Sequence, residues 1–332
     1  MKTADHILSF EKPSAKVLQL TDMQIIDSSQ QRFKGRLTDY ETKFWTRDKL
    51  DERCFDEMKS VIYKTKPDMI LITGDLVYDE FDDSGEIWDV FVDFMESFGI
   101  PWAPVFGNHD KGSKIGMEYK INSLIEAENC LFCNGDTVGN GNYTIAFESG
   151  DRAFRLFYLL DSGQTGLVDE QLEWMNKKAE HFKEQCGFLP KSSACFHIPT
   201  FDFKQAARKY TDMAEERGTP FCFRINCDMP GEPTDFGTQN EKMKSAATRP
   251  VFSEGNFIDL LKKINADSVF AGHSHLVNTS ICYEGIRWTM GLKTGEYDRF
   301  PAGKTGGTVI DVSENEIRVA HISGKEALYE LV

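Results

Sequence analysis

The sequence predicts an α/β fold built on two sheets, and three observations carry that prediction. Apolar runs of strand length alternate with stretches of helical period through the first third of the chain. Further on, a turn rich in Gly and Asn leads into a period-two stretch that pairs as a hairpin with the next apolar run. Polar residues, several of them His, Asp or Asn, stand directly after the strands, at the edge of an α/β sheet where ligands bind.

Residues 17–21 form the first strand and deliver Asp22 and Gln24 at its C-terminal end, and residues 27–50, polar and without period, read as a loop. Over 49–63, Leu50, Cys54, Phe55, Met58, Val61 and Ile62 recur at helical spacing, which predicts a helix packed on a sheet. Lys66-Pro67 ends it, and the apolar run 68–73 is a strand leading to Gly74-Asp75. The order strand, helix, strand implies a parallel crossover in a sheet covered on both faces. Ile87, Trp88, Phe91, Phe94, Met95 and Phe98 predict a helix over 85–98, closed by Gly99-Ile100-Pro101 before a strand ending at Phe106. Gly107-Asn108-His109-Asp110 follows directly. A helix from 115 to about 128 precedes Gly139-Asn140-Gly141-Asn142, the alternating Tyr143, Ile145 and Phe147, and a strand at 155–160. Leu172, Trp174, Met175 and Phe182 predict a helix over 169–184, and a short strand at 193–196 ends at His197-Ile198-Pro199. Residues 200–255 lack a period, with 222–227 as the only strand-like piece, and so long a stretch without its own elements is usually functional or mobile. A helix at 256–263 and a strand at 268–271 lead to Gly272-His273-Ser274-His275, and 281–288 and 308–321 close the chain as antiparallel strands.

Hydrophobic residues make up 40% of the chain and Phe alone numbers 25, enough apolar surface for a sizeable core. The 53 acidic residues outnumber 38 basic ones, and the net charge of -15 disfavours sequence-independent binding to nucleic acid or to an anionic membrane face. Bound metals would reverse that sign locally, so an anionic substrate is compatible. Residues 1–20 carry Asp5, Glu11, Lys12 and Lys16 among short apolar pieces, so no signal peptide is expected, and no apolar run is long enough for a membrane span. The eight cysteines lie scattered through a chain too large to need staples, which suits reduced thiols in a cytoplasm. Cys130-x-x-Cys133 lacks a second pair or a nearby His and reads as structural rather than as a zinc half-site.

Collected, the strand ends carry Asp22-x-Gln24, Gly74-Asp75-x-x-Tyr78, Gly107-Asn108-His109-Asp110, His197 and Gly272-His273-x-His275, with four of the seven histidines among them. Carboxylate, imidazole and amide oxygen together suit Mn, Fe or Zn. In order and type this set resembles the calcineurin-like metallophosphoesterase superfamily, which reads D-x-H, G-D-x-x, G-N-H-[DE], H and G-H-x-H. The resemblance implies a two-sheet mixed β-sandwich flanked by helices, a four-layer fold, as one domain over 1–332 with 200–255 as an insertion or cap shaping the substrate pocket. It also implies two divalent or trivalent ions (Fe, Mn or Zn), with Asp75 bridging them. Asn108, His197 and His273 would complete one site, and Asp22 and His275 would serve the other. Two metals ~3.5–4 Å apart can activate a bridging hydroxide and clamp phosphoryl oxygens. His109 matches the family histidine that protonates the leaving group or holds the phosphate. Asp110 would orient that imidazole, or serve as a simple turn carboxylate.

The chain departs from the pattern at Gln24, where the superfamily usually has a metal-binding His and where an amide oxygen is the weaker ligand. Tyr78 is the candidate replacement, because Gly74-Asp75-Leu76-Val77-Tyr78 resembles the G-D-x-x-Y motif of purple acid phosphatases, whose Tyr binds Fe(III). The alternative is that Tyr78 packs near the site. Chain-wide the likeness is to the intracellular phosphohydrolase branch, with His197-Ile198-Pro199 at the fourth motif and Gly291-Leu292-Lys293-Thr294-Gly295 downstream. Lys293 reads as a solvated turn lysine in preference to an anion contact. The expected function is hydrolysis of a phosphomonoester or phosphodiester by attack of a metal-bound hydroxide. A metal- or phosphate-binding regulatory module without turnover is the alternative that Gln24 motivates.

Overall fold

The computed structural model describes residues 3–26, 49–79, 83–203, 205–206, 256–275, 279–297, 305–324 and the backbone of 328–331. In chain order the elements are β1 (His6–Phe10), β2 (Ser14–Leu20), α1 (Leu50–Thr65), β3 (Met69–Thr73), α2 (Glu86–Glu96), β4 (Trp102–Val105), α3 (Gly116–Glu126), β5 (Tyr143–Ser149), β6 (Arg152–Leu159) and α4 (Asp169–Cys186). They continue with β7 (Lys191–Cys195), α5 (Phe257–Lys263), β8 (Ala266–Ala271), β9 (Ser280–Tyr283), β10 (Ile286–Met290), β11 (Gly306–Ser313), β12 (Ile317–Ser323) and β13 (Leu328–Leu331).

Two mixed sheets flanked by helices result, which is the α/β architecture that the sequence predicts. The first has the order β13-β12-β11-β2-β3-β4, with β2, β3 and β4 parallel and β11 antiparallel to β2. The second reads β1-β5-β6-β7-β8-β10-β9. Every residue of β3 and β4 is buried, as strands covered on both faces must be. On α1 the stripe Leu50, Cys54, Met58, Val61, Ile62 turns inward onto β2 and β11, and Lys66 in a left-handed conformation followed by Pro67 ends the helix. Ile87, Trp88, Phe91, Val92 and Met95 form the buried face of α2, which packs beside α3. Among the described residues nearly all buried apolar side chains join one contiguous cluster.

Three details differ from expectation. Strand β1, with Ile7, Leu8 and Phe10 in no alternating pattern, is not foreseen, and it lies half-buried at the sheet edge beside β5. Residues 281–288 split into β9 and β10 around Glu284-Gly285, both at positive φ (54° and 79°), a two-residue hairpin turn. The chain then returns parallel to β8, so the closing strands are not all antiparallel. The predicted loop at 27–50 (all but its last two residues) and the strand-like piece at 222–227 lie outside the described residues. Cys130 is buried and Cys133 half-buried, with no disulfide between them. Among the described residues no helix is long and apolar enough to cross a membrane.

Arg155 ties the two sheets together. Its fully buried guanidinium donates to Asp267 Oδ1 on β8 at 2.5 Å and to the Ser313 carbonyl of the other sheet at 3.1 Å. Breaking a buried ion pair leaves one charge uncompensated, softened here because the Asp267 side chain is 20% exposed. Arg155→Met is therefore expected to cost about 2–3 kcal/mol, read as a lower urea midpoint at unchanged m value. An unmoved midpoint would refute the tie.

Candidate metal centre

The C-terminal ends of β2, β3 and β4 meet those of β7 and β8, and within each sheet backbone bonds join neighbouring ends: Asp22 N to Gly74 O at 3.0 Å, Gln24 N to Asp75 O at 2.8 Å and Gly272 N to His197 O at 3.0 Å. Asp22 (φ 55°), Gln24 (48°), Asp75 (53°) and His273 (71°) all sit in the left-handed region. Each such residue costs on the order of 1 kcal/mol or more and persists only where surroundings over-determine it, a pattern that gathers at functional sites. Two glycines leave the room. A Cβ on Gly107 would overlap Asp75 Oδ1, and one on Gly272 would overlap Thr21 and Asp22.

The sequence-predicted residues form two groups that share Asp75. In the first, Asn108 Oδ1 lies 3.1 Å from His197 Nε2 and 2.9 Å from His273 Nδ1, while His197 Nε2 is 3.3 Å from Asp75 Oδ2. The His197 Nδ1–H donates to the Thr73 carbonyl at 2.8 Å, which leaves Nε2 facing the group. In the second, ligand atoms of Asp22, Asp75 and His275 all lie within 4.8 Å of one another, a set that could hold a metal ion. His275 Nε2 is 3.3 Å from Asp22 Oδ1, and the His273 N–H reaches both Asp22 oxygens at 3.0 Å. Gln24 donates its amide N–H to Asp75 Oδ2 at 3.2 Å, while its buried Oε1 has no hydrogen-bond partner among the described residues.

Asp22 and Asp75 are each 1% exposed. Burial opposes their ionisation, yet His275 beside Asp22 and His197 with His109 beside Asp75 hold both below the ordinary carboxylate range. Burial likewise disfavours a charged His197, but the Asp75 carboxylate carries its imidazole up to about 9. Burial and the neighbouring His197 charge push His273 down to about 3, so it is neutral. Protein cations thus stand in partly for the positive charge that the carboxylates attract.

His109 lies against the same centre. Its N–H donates to Asp75 Oδ1 at 2.9 Å, and its ring stacks on Tyr78 with centroids 4.3 Å apart and planes 22° off parallel. Asp110 accepts from the backbone N–H groups of Leu76 (2.8 Å), Val77 (3.1 Å) and Gly107 (2.7 Å), so its carboxylate clamps the loop after β3 to the loop after β4. Burial and the Asp75 charge push it up to about 7. Lys293 is not the solvated lysine expected: it is 1% exposed and donates to the Asp22 carbonyl. The segment after β10 carries it behind the first strand end, where Thr294 N also bonds Thr21 O at 2.9 Å. Sequence reading passed over Asp79 and Lys120, which are fully buried beside this loop. The signal was present, since Lys120 stands one helical turn before the buried Leu124 on the inner face of α3.

A two-sheet α/β sandwich that gathers carboxylates, imidazoles and an amide at its strand ends is the architecture of a metallophosphoesterase. The chain belongs to the calcineurin-like phosphoesterase family, whose sequence model matches residues 15–277. A dimetal phosphatase from Danio rerio shares the fold with a TM-score of 0.53 at 12% identity, over 96% of this chain and 99% of its own. "Probable inactive purple acid phosphatase 29" of Arabidopsis thaliana is 23% identical over 81% of this chain and 71% of its own. An uncharacterized Schizosaccharomyces pombe protein is 26% identical over 58% of this chain, and the match spans only 38% of that protein's length.

Because His197 carries a proton up to about 9, a cation bound through its Nε2 would displace that proton. Zinc or manganese uptake near pH 7.5 is expected to release on the order of one proton per chain and to tighten as pH rises toward 9. Calorimetry in buffers of different ionisation enthalpy measures that release. Heats independent of buffer would contradict it.

Proposed function

We propose that this chain hydrolyses a phosphomonoester or phosphodiester with the help of two bound metal ions. The observation that carries the reading is the pair of donor groups sharing Asp75: Asn108, His197 and His273 around one position, Asp22 and His275 around the other. The donors fit such ions. Two buried carboxylates, imidazole nitrogens and the orphaned Gln24 amide oxygen form a set of electron-pair donors in one place, suited to Fe, Mn or Zn. When bound, a metal pair supplies a nucleophile at neutral pH and positive charge for the phosphoryl oxygens.

The chain's own residues do the rest. The Thr73 carbonyl orients His197, and Asn108 sets its amide oxygen between two imidazoles. His109 holds a ring proton for the ester oxygen that leaves: as the P–O bond breaks, the electron pair left on that oxygen takes the proton. Its backbone tie to Asp75 keeps the acid in register with the donor groups. Asp110 acts on His109 through the backbone it clamps, Tyr78 gives the imidazole a packing surface, and Gln24 is a weak oxygen donor beside Asp75. Residues 200–255 stand in the chain between His197 and the strand that delivers His273, which supports reading them as a cap on the substrate pocket of a single domain.

A metal- and phosphate-binding module without turnover is the second reading. Gln24 in place of an imidazole favours it, as does the Arabidopsis relative whose name calls that protein inactive.

In metal-loaded protein, Asp75→Asn and His273→Ala are each expected to lower turnover of p-nitrophenyl or bis(p-nitrophenyl) phosphate by more than about 100-fold. The faster ester of the two identifies the substrate class. Full turnover in either variant would overturn the reading, and phosphate binding without turnover of either ester by the wild type would establish the module instead. Tyr78→Phe is expected to leave the visible spectrum of iron-loaded protein unchanged, whereas loss of a tyrosinate-to-iron band would make Tyr78 a ligand.

A further inference from the structure

Lys120 and Asp79 form an ion pair in which both side chains are about 1% exposed. Such a pair is expensive to bury and stabilises little by comparison with two apolar residues of the same volume, so stability alone does not account for it. Its contacts point elsewhere. Lys120 Nζ, seated 4.6 Å from the Trp88 ring centre, donates to the Asp79 carboxylate and to the Asp110 carbonyl at 3.1 Å. Asp79 Oδ2 accepts from Gly112 N at 2.9 Å and Ser113 N at 3.2 Å, and the Asp79 N–H donates to the His109 carbonyl at 3.0 Å. Three backbone groups of the loop after β4, belonging to residues 110, 112 and 113, are therefore held by the paired side chains, and the Asp79 backbone holds a fourth, that of residue 109. Asp79 also follows Tyr78 in the chain, so the same anchor fixes the ring on which His109 stacks.

We infer that Lys120 and Asp79 are positioning residues for His109, setting the backbone beneath its imidazole and the aromatic surface against it. The inference rests on the reading of His109 as the acid for the leaving oxygen. A displacement of about 1 Å in such a group costs on the order of 100-fold in rate, but only where the leaving group needs the proton. A good leaving group departs without it.

The double variant Asp79→Asn/Lys120→Met removes the pair without stranding a buried charge. Its turnover of phenyl phosphate is expected to fall about 10- to 100-fold, while that of 2,4-dinitrophenyl phosphate falls less than about threefold, with metal content and KM unchanged. An equal loss on both esters, or no loss on either, would overturn the inference and leave the pair a packing feature. A second readout needs no turnover. In metal-free protein the His109 ring protons, assigned through His109→Gln, carry an upfield ring-current shift from Tyr78, and Tyr78→Leu supplies the position without it. In the double variant the signals are expected at the Tyr78→Leu position, and signals left at the wild-type position would refute positioning. Failure of wild-type protein to hydrolyse either ester would sink the hydrolase reading alone, since the ring signals still decide whether the pair holds His109.

Discussion

A carboxylate buried at the end of β3 is the constraint around which the rest of this molecule is arranged. Asp75 has almost no exposure, and an unpaired buried anion costs several kcal/mol. The fold answers from four directions: the His197 imidazole, the Gln24 amide, the His109 N–H and the space left by Gly107. They come from three strand ends, since His109 and Gly107 both follow β4. Compensating one charge thus brings together two sheets that share no strand, and the donor groups on either side of Asp75 follow from that meeting.

The supports behind the centre are themselves buried and polar. Asp110 spends its carboxylate on three backbone N–H groups, Lys293 donates to the carbonyl of Asp22, and Lys120 with Asp79 holds the loop that carries His109. None of these contacts adds apolar burial. Their common effect is to fix backbone that would otherwise relax, including that of Asp22 in the left-handed region. Polar interiors of this kind trade stability for a single geometry.

Much of the arrangement was legible beforehand. Helical and strand periods located α1 to α5 and the strands leading to Asp22, Asp75, Asn108, His197 and His273 to within a few residues, because buried faces must be apolar at the period of their element. Strand β1 escaped because it is short and half-buried at a sheet edge, where Ile7, Leu8 and Phe10 make no alternating pattern. Lys293 and Lys120 were misjudged or missed for one reason: lysine is ordinarily solvated, and its burial depends on a carbonyl or carboxylate that arrives from elsewhere in the chain.

Sequence by itself determined the fold class, the strand ends and the set of residues that converge there, since these rest on local period and on an ordered run of motifs. Only the tertiary structure decided who faces whom: Asn108 between two imidazoles, Tyr78 flat on His109, and Asp110 turned to the backbone of Leu76 and Val77. Those pairings join residues tens to hundreds of positions apart. No local spacing encodes them, because they arise when strand ends from two sheets must share one buried charge.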